Sequence, residues 1–224
     1  MKLPVSSEYL ATALQAEGEL GDFKLIHHQA GDLLLPTGQL VASDPQMFPE
    51  REAFTQSVPR GSFPVILSIA QIGADQRVAY ATVRFKPSRP VDWKLMTVEK
   101  EDISSLKDGE VFGYPVDSGT GCFMDRSIGR VLTERIGCHQ KTPTSFLSAP
   151  NDEAFYDMFV AALRKKQQPT WTFMDLSLEN ANLVVFSSGY GDGYYATYAG
   201  FDSSGELSAV VTDFDVMSIA MRAA

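Results

Sequence analysis

Residues 77–85 read Arg-Val-Ala-Tyr-Ala-Thr-Val-Arg-Phe, the two-residue alternation of a strand with one wet face. Residues 54–58, 62–72 and 91–98 carry the same β-branched and aromatic composition. Turn sequences bound them: Pro59-Arg60-Gly61 and Gly73-Ala74-Asp75. Upstream, residues 23–29 and 32–45 read as strand, with Pro36-Thr37-Gly38 as a turn inside the second run and Asp44-Pro45 closing it. In the last third, residues 170–176, 182–187, 194–201 and 207–214 are strand-like, and Asp202-Ser203-Ser204-Gly205 joins the last two as a hairpin.

Helical periodicity is confined to three stretches. Residues 7–16 place Tyr9, Leu10, Ala13 and Leu14 on one stripe, with Ser6 or Ser7 as cap and Gly18 and Gly21 as terminators. Residues 126–136 predict a helix interrupted by Gly129. A polar loop over 137–150 then leads to the strongest signal, residues 151–167. There Phe155, Met158, Phe159, Ala162 and Leu163 follow the helical period, with Asn151 as cap and Asp152 and Glu153 in the first turn. Many strands joined by short turns, with helices segregated near the N-terminus and the middle, predict an α+β fold with a largely antiparallel β-sheet and a few packed helices. The expectation is a single domain over residues 1–224, with residues 1–21 as an N-terminal helical segment.

The stretch from Gly109 to Asp125 organises the rest. It runs from a half-buried strand (Val111, Phe112, Tyr114, Val116) into the turn Asp117-Ser118-Gly119-Thr120-Gly121. It returns as the apolar run Cys122-Phe123-Met124, ending on Asp125. A second glycine turn, Ser187-Ser188-Gly189-Tyr190-Gly191-Asp192-Gly193, lies downstream. Both call for positive φ or close approach of backbone.

Composition narrows the function classes. With 44% hydrophobic residues the chain can bury a substantial core without staples. Its net charge of -9 disfavours nucleic acid, whose binding rests on cations that displace counterions, and suits a basic protein partner. The basic cluster Arg164-Lys165-Lys166 sits where cations complement a helix C-terminus. Two cysteines, Cys122 and Cys138, make no disulfide framework. No signal-peptide core or membrane-length apolar run appears, so the expectation is a cytoplasmic protein.

The segments VASDP, SVPRGSFPVILS, RVAYATVRF, VDSGTGCFMD and SSGYGDGYYATYAG, with the closing VVTDF, resemble the bacterial domain of unknown function (DUF) family 4241. The resemblance covers residues 33–214 as the core and leaves the N-terminal helix outside it. It implies a grouping and no mechanism.

The candidate chemistry divides three ways. Asp117, Asp125, Asp192 and Asp213 would suit a hard divalent metal activating water for hydrolysis, if pairing of the sheet brought them together. Aspartate is equally a favoured turn and cap residue. The backbone N–H groups of Ser118, Gly119, Thr120, Gly121, Gly191, Asp192 and Gly193, with Tyr194 beside them, could cradle a small anionic ligand, although neither turn matches a P-loop. Cys122 could be a nucleophile given a base, for which the chain has only His27, His28 and His139, but it also reads as a small buried strand residue. No motif names a cofactor, and the pattern leaves open whether the chain is an enzyme. Tyr190, Tyr194, Tyr195 and Tyr198 crowd the second turn as either recognition or packing residues, with Tyr194 and Tyr198 expected on one face of one strand. Scarce histidine, acidic charge and tyrosine-glycine turns without a catalytic pattern favour a non-enzymatic protein-binding module of the immunity or antitoxin kind.

Overall fold

The computed structural model describes residues 7–14, 17–20, 23–136 and 153–217. The order runs α1 (Ser7–Thr12), β1 (Gly18–Leu20), β2 (Phe23–Leu35), β3 (Leu40–Ser43), β4 (Gly61–Ile72), β5 (Asp75–Arg84), β6 (Asp92–Leu95), β7 (Tyr114–Val116) and β8 (Thr120–Asp125). It continues through α2 (Gly129–Ile136), α3 (Glu153–Lys165), β9 (Phe173–Leu178), β10 (Ala181–Ser187), β11 (Gly193–Tyr195), β12 (Thr197–Phe201) and β13 (Leu207–Asp213). Among the described residues the strands form a seven-stranded sheet, β1-β2-β4-β5-β13-β12-β6, a four-stranded sheet, β3-β8-β10-β9, and the pair β11-β7. Every pairing is antiparallel, and the fold is α+β.

The four-stranded sheet lies between two apolar layers. Along β8, Phe123 joins the core shared with the larger sheet, whereas Cys122 and Met124 join the layer built by Leu132, Phe155, Phe159 and Leu163 of α2 and α3. Along β10, Val184 and Phe186 face the first layer, and Leu183 and Val185 the second. Strands buried on both faces read as unbroken apolar runs, which is why Cys122-Phe123-Met124 and Leu183 to Phe186 show no alternation.

Gly18–Leu20, expected within the N-terminal helical segment, form β1 against β2, and three further departures from the sequence expectation bear on the site. Residues 54–58 form no strand; their backbone instead binds neighbouring loops and β3, Phe54 N–H to Leu40 O at 2.9 Å and Val58 N–H to Gly38 O at 2.9 Å. Ordered strand ahead of the first glycine turn is only β7, without Val111 and Phe112. The run 194–201 breaks at Ala196: Tyr195 pairs with Tyr114 in the small ribbon, and Thr197 pairs with Thr212 in the large sheet. A strand that switches sheets at a corner must break its ladder there. Tyr194 and Tyr198 therefore do not share a face, the former 49% exposed and the latter fully buried. The loop 137–150, with Cys138 and His139, and the cap Asn151 lie outside the described residues.

Candidate functional site

The two glycine turns meet. Strand β11 pairs with β7, Gly193 opposite Val116, and the N–H of Ser188 donates to Gly119 O at 3.2 Å. Gly119 needs its φ of +67° to close the first turn. Gly121 answers a different demand: a Cβ there would stand 2.7 Å from the Tyr114 hydroxyl oxygen and 3.2 Å from the Phe186 ring.

Asp44, at the end of β3, holds this junction from below. Its carboxylate is fully buried and collects five donors. Oδ1 accepts from the N–H groups of Gln46 (2.9 Å) and Met47 (3.1 Å) and from Ser118 Oγ (2.8 Å). Oδ2 accepts from the N–H groups of Asp117 (3.0 Å) and Ser118 (2.8 Å). With Ser118 Oγ donating to the carboxylate, the Thr120 hydroxyl donates to Ser118 Oγ at 2.7 Å, and Gln46 Nε2 donates to Thr120 Oγ1 at 3.2 Å. These bonds run in one direction and polarise one another. The first glycine turn does cradle an anion, and the anion is the protein's own carboxylate. Asp117 and Ser118 consequently have no N–H left for a small anionic ligand, which takes Ser118 out of the expected cradle.

The second turn is closed on itself. Gly191 N–H donates to Ser188 O at 2.8 Å, Ser188 Oγ to Gly191 O at 2.8 Å, and the Tyr195 hydroxyl to Gly191 O at 2.9 Å. Burial, with the charges of Asp215 and Asp192, pushes the Tyr195 phenol up to about 12, so it stays a donor. What the junction presents to solvent is Asp117, Asp192, Gly193 and two half-exposed rings, Tyr190 (48%) and Tyr194 (49%). The Arg77 guanidinium lies 5.2 Å from the Tyr190 ring centroid. Tyr194 stands opposite Pro115, which also lines a surface cavity of about 320 Å³ with Met47, Phe48, Pro49, Arg51 and Thr133. Arg51 is fixed there by donating through Nη2 to Gly113 O (2.7 Å) and Glu101 Oε1 (3.3 Å).

The remaining aspartate candidates are buried and lie off the exposed rim. Asp125 sits five residues along β8 from Thr120, roughly 17 Å at the rise of a strand. It is fully buried, accepting from Thr37 N–H (3.0 Å), Thr37 Oγ1 (2.8 Å) and Ser127 N–H (2.9 Å), and so closes the β2–β3 turn and caps the short helix after β8. Asp213 ends β13 opposite Tyr80 and accepts from Asp215 N–H at 2.9 Å. Among the described residues no three His, Cys, Asp or Glu side chains are grouped to hold a metal. The four aspartates, candidates for a metal on the condition that sheet pairing brought them together, divide into an exposed pair at the junction, Asp117 and Asp192, and two buried residues, Asp125 at the far end of β8 and Asp213, whose N–H donates to Ala196 O at 3.1 Å.

Cys122 is fully buried in β8, and its side-chain hydrogen bond is with Ser43 Oγ at 3.5 Å. Burial, with the Asp44 carboxylate adding to it, pushes the thiol up to about 12, the reverse of a nucleophile's need. Iodoacetamide labelling followed by peptide mapping is expected to leave Cys122 unmodified in the folded protein and to modify it in denaturant. Modification at native pH 8 would restore it as a reactive thiol.

An α+β protein with a rigid glycine-tyrosine rim over a buried carboxylate is the class these observations define. A family model described as a protein of unknown function, DUF4241, matches residues 33–212, and the chain belongs to that family. No curated protein and no solved structure matches it. Among the described residues no helix is long and apolar enough to cross a membrane. In the sequence Asp44 reads only as the residue that, with Pro45, closes a strand run, because its partners Asp117 and Ser118 lie more than 70 residues away in the chain.

Proposed function

We propose that the chain is a non-enzymatic binding module that docks a basic protein through the rim of the two glycine turns, as an immunity or antitoxin-like protein would. The observation that carries this reading is the pair Tyr190 and Tyr194, half exposed at a turn closed by the bonds of Ser188 and Tyr195 to Gly191 O. Rigid aromatic rings lose little entropy on binding, and tyrosine is enriched among the residues that dominate interface energetics. Exposed Asp117 and Asp192 flank them, and the net charge of -9 adds long-range attraction for a cationic partner. The cavity beside Pro115 offers an apolar seat next to Tyr194 for a partner side chain.

The test is affinity capture with the immobilised full chain, quantified against the variant Tyr190→Ser/Tyr194→Ser/Asp192→Lys and against Val91→Ser, which removes an exposed apolar residue on β6's flank. A partner held by wild type and Val91→Ser, and reduced more than about tenfold by the triple variant, is the expected result. Equal capture by all three proteins, or none above background, would overturn the reading.

A further inference from the structure

We infer that the free edge of the four-stranded sheet, β9, is the site of a two-fold dimer between copies of this chain. This surface is separate from the glycine-turn rim and does not depend on it.

Strand β9 pairs with β10 alone. Leu178 and Ala181 flank the two-residue connection Glu179-Asn180, with Glu179 at φ +54°. In such a hairpin the flanking pair exchanges both hydrogen bonds, and every second pair does so after it. The bond from Ser187 N–H to Thr172 O at 3.0 Å carries the same phase to the other end of the hairpin. Thr172, Met174, Leu176 and Leu178 therefore turn their backbone groups toward β10. Phe173, Asp175 and Ser177 turn theirs outward, where no backbone partner meets them among the described residues.

The other edges of the two larger sheets are protected. Strand β3 is covered by the bond from Phe54, β6 is four residues with charged Asp92 and Lys94, and β1 is three residues long. Strand β9 has six residues, no proline and no bulge, and its one charge is Asp175. An open edge of that kind is a template for another strand.

The sequence of β9 selects its own copy. A two-fold axis normal to the sheet keeps each face on its own side, so residues paired across it must have the same parity. A register centred on Asp175 sets carboxylate against carboxylate, which is unfavourable; one centred on Ser177 sets Asp175 against Glu179, and one centred on Met174 sets it against Phe173. The register centred on Leu176 avoids all three. It puts Met174 opposite Leu178, Leu176 opposite Leu176, and Asp175 opposite Ser177, whose outward groups then exchange four hydrogen bonds across the axis. Met174, Leu176 and Leu178 belong to the apolar layer under α3, so this pairing continues that layer from one copy to the next. On the opposite face, an open cavity of about 500 Å³ borders the edge, lined by Asp175, Ser177 and Leu34, the last 39% exposed. A second copy would cover it, giving a continuous eight-stranded sheet.

The experiment is sedimentation equilibrium of the full chain, wild type against Ser177→Lys and Ser177→Asp. Ser177 is exposed and donates nothing to β10, so neither change should disturb the fold. Ser177→Lys faces Asp175 of the other copy twice and is expected to tighten the dimer by roughly 3- to 10-fold; Ser177→Asp is expected to weaken it by a similar factor. In a Cys138→Ser background, Leu176→Cys on the axis should form an intermolecular disulfide on mild oxidation. A monomer at every concentration, or a dimer whose dissociation constant ignores both Ser177 substitutions, would overturn the inference.

Discussion

Asp44→Ala is expected to lower the free energy of unfolding by about 3–5 kcal/mol, and Asp44→Asn by roughly half as much. The carboxylate is fully buried, yet each oxygen is saturated by the N–H groups of Gln46, Met47, Asp117 and Ser118 and the Ser118 hydroxyl. Alanine removes the acceptor and strands these donors under the glycine turn. Leaving a buried donor unpaired costs about 1–3 kcal/mol, and the strain is shared between neighbours that can relax only in part. Asparagine keeps one acceptor oxygen but aims an N–H₂ group at N–H donors. Urea unfolding of the three proteins at pH 7 gives the comparison. A loss below about 1 kcal/mol for alanine would mean that water replaces the carboxylate in the junction.

That residue also marks where sequence reasoning stops. The β4–β5 and β12–β13 hairpins, the helix over Glu153–Lys165 and the class of the fold were legible because local period and turn chemistry specify them. The meeting of the two glycine turns could be stated as a condition of sheet pairing, and the pairing of β7 with β11 fulfils it. Whether an aspartate there faced a ligand or a backbone was not legible. Three of the five donors to Asp44 come from a segment more than 70 residues distant, and composition is the same in either case. The break at Ala196 was hidden for a related reason: Tyr-Tyr-Ala-Thr-Tyr alternates correctly on both sides, and only the choice of partner strand divides it. Residues 54–58 have strand composition but no ladder, because edge strand β3 meets them only at isolated bonds.

A second large effect depends on pH and isolates Asp213. Its side chain is 5% exposed at the end of β13, beside Tyr80 in register. Burial lifts the carboxyl from an ordinary 3.8 to about 7; the hydrogen bond from Asp215 N–H opposes the shift, and the Asp215 charge adds to it. An acid whose folded value lies above its unfolded value keeps its proton in the native state while the unfolded chain releases it. From about pH 4 to pH 7 the native protein therefore binds more protons, and its stability falls as pH rises. Above pH 7 both states are ionised and the whole penalty persists, on the order of 4 kcal/mol at 1.36 kcal/mol per unit. His27 and His28, both lowered chiefly by burial, act in the opposite sense, losing stability as pH falls through their unfolded value of 6.5. The difference between Asp213→Asn and wild type cancels the histidines. It is expected to be small near pH 4 and to grow through pH 7, with the variant melting several degrees higher at pH 8. A melting difference that stays constant from pH 4 to pH 8 would mean that Asp213 ionises in the folded protein as it does in water, its burial offset by groups that stabilise the charge.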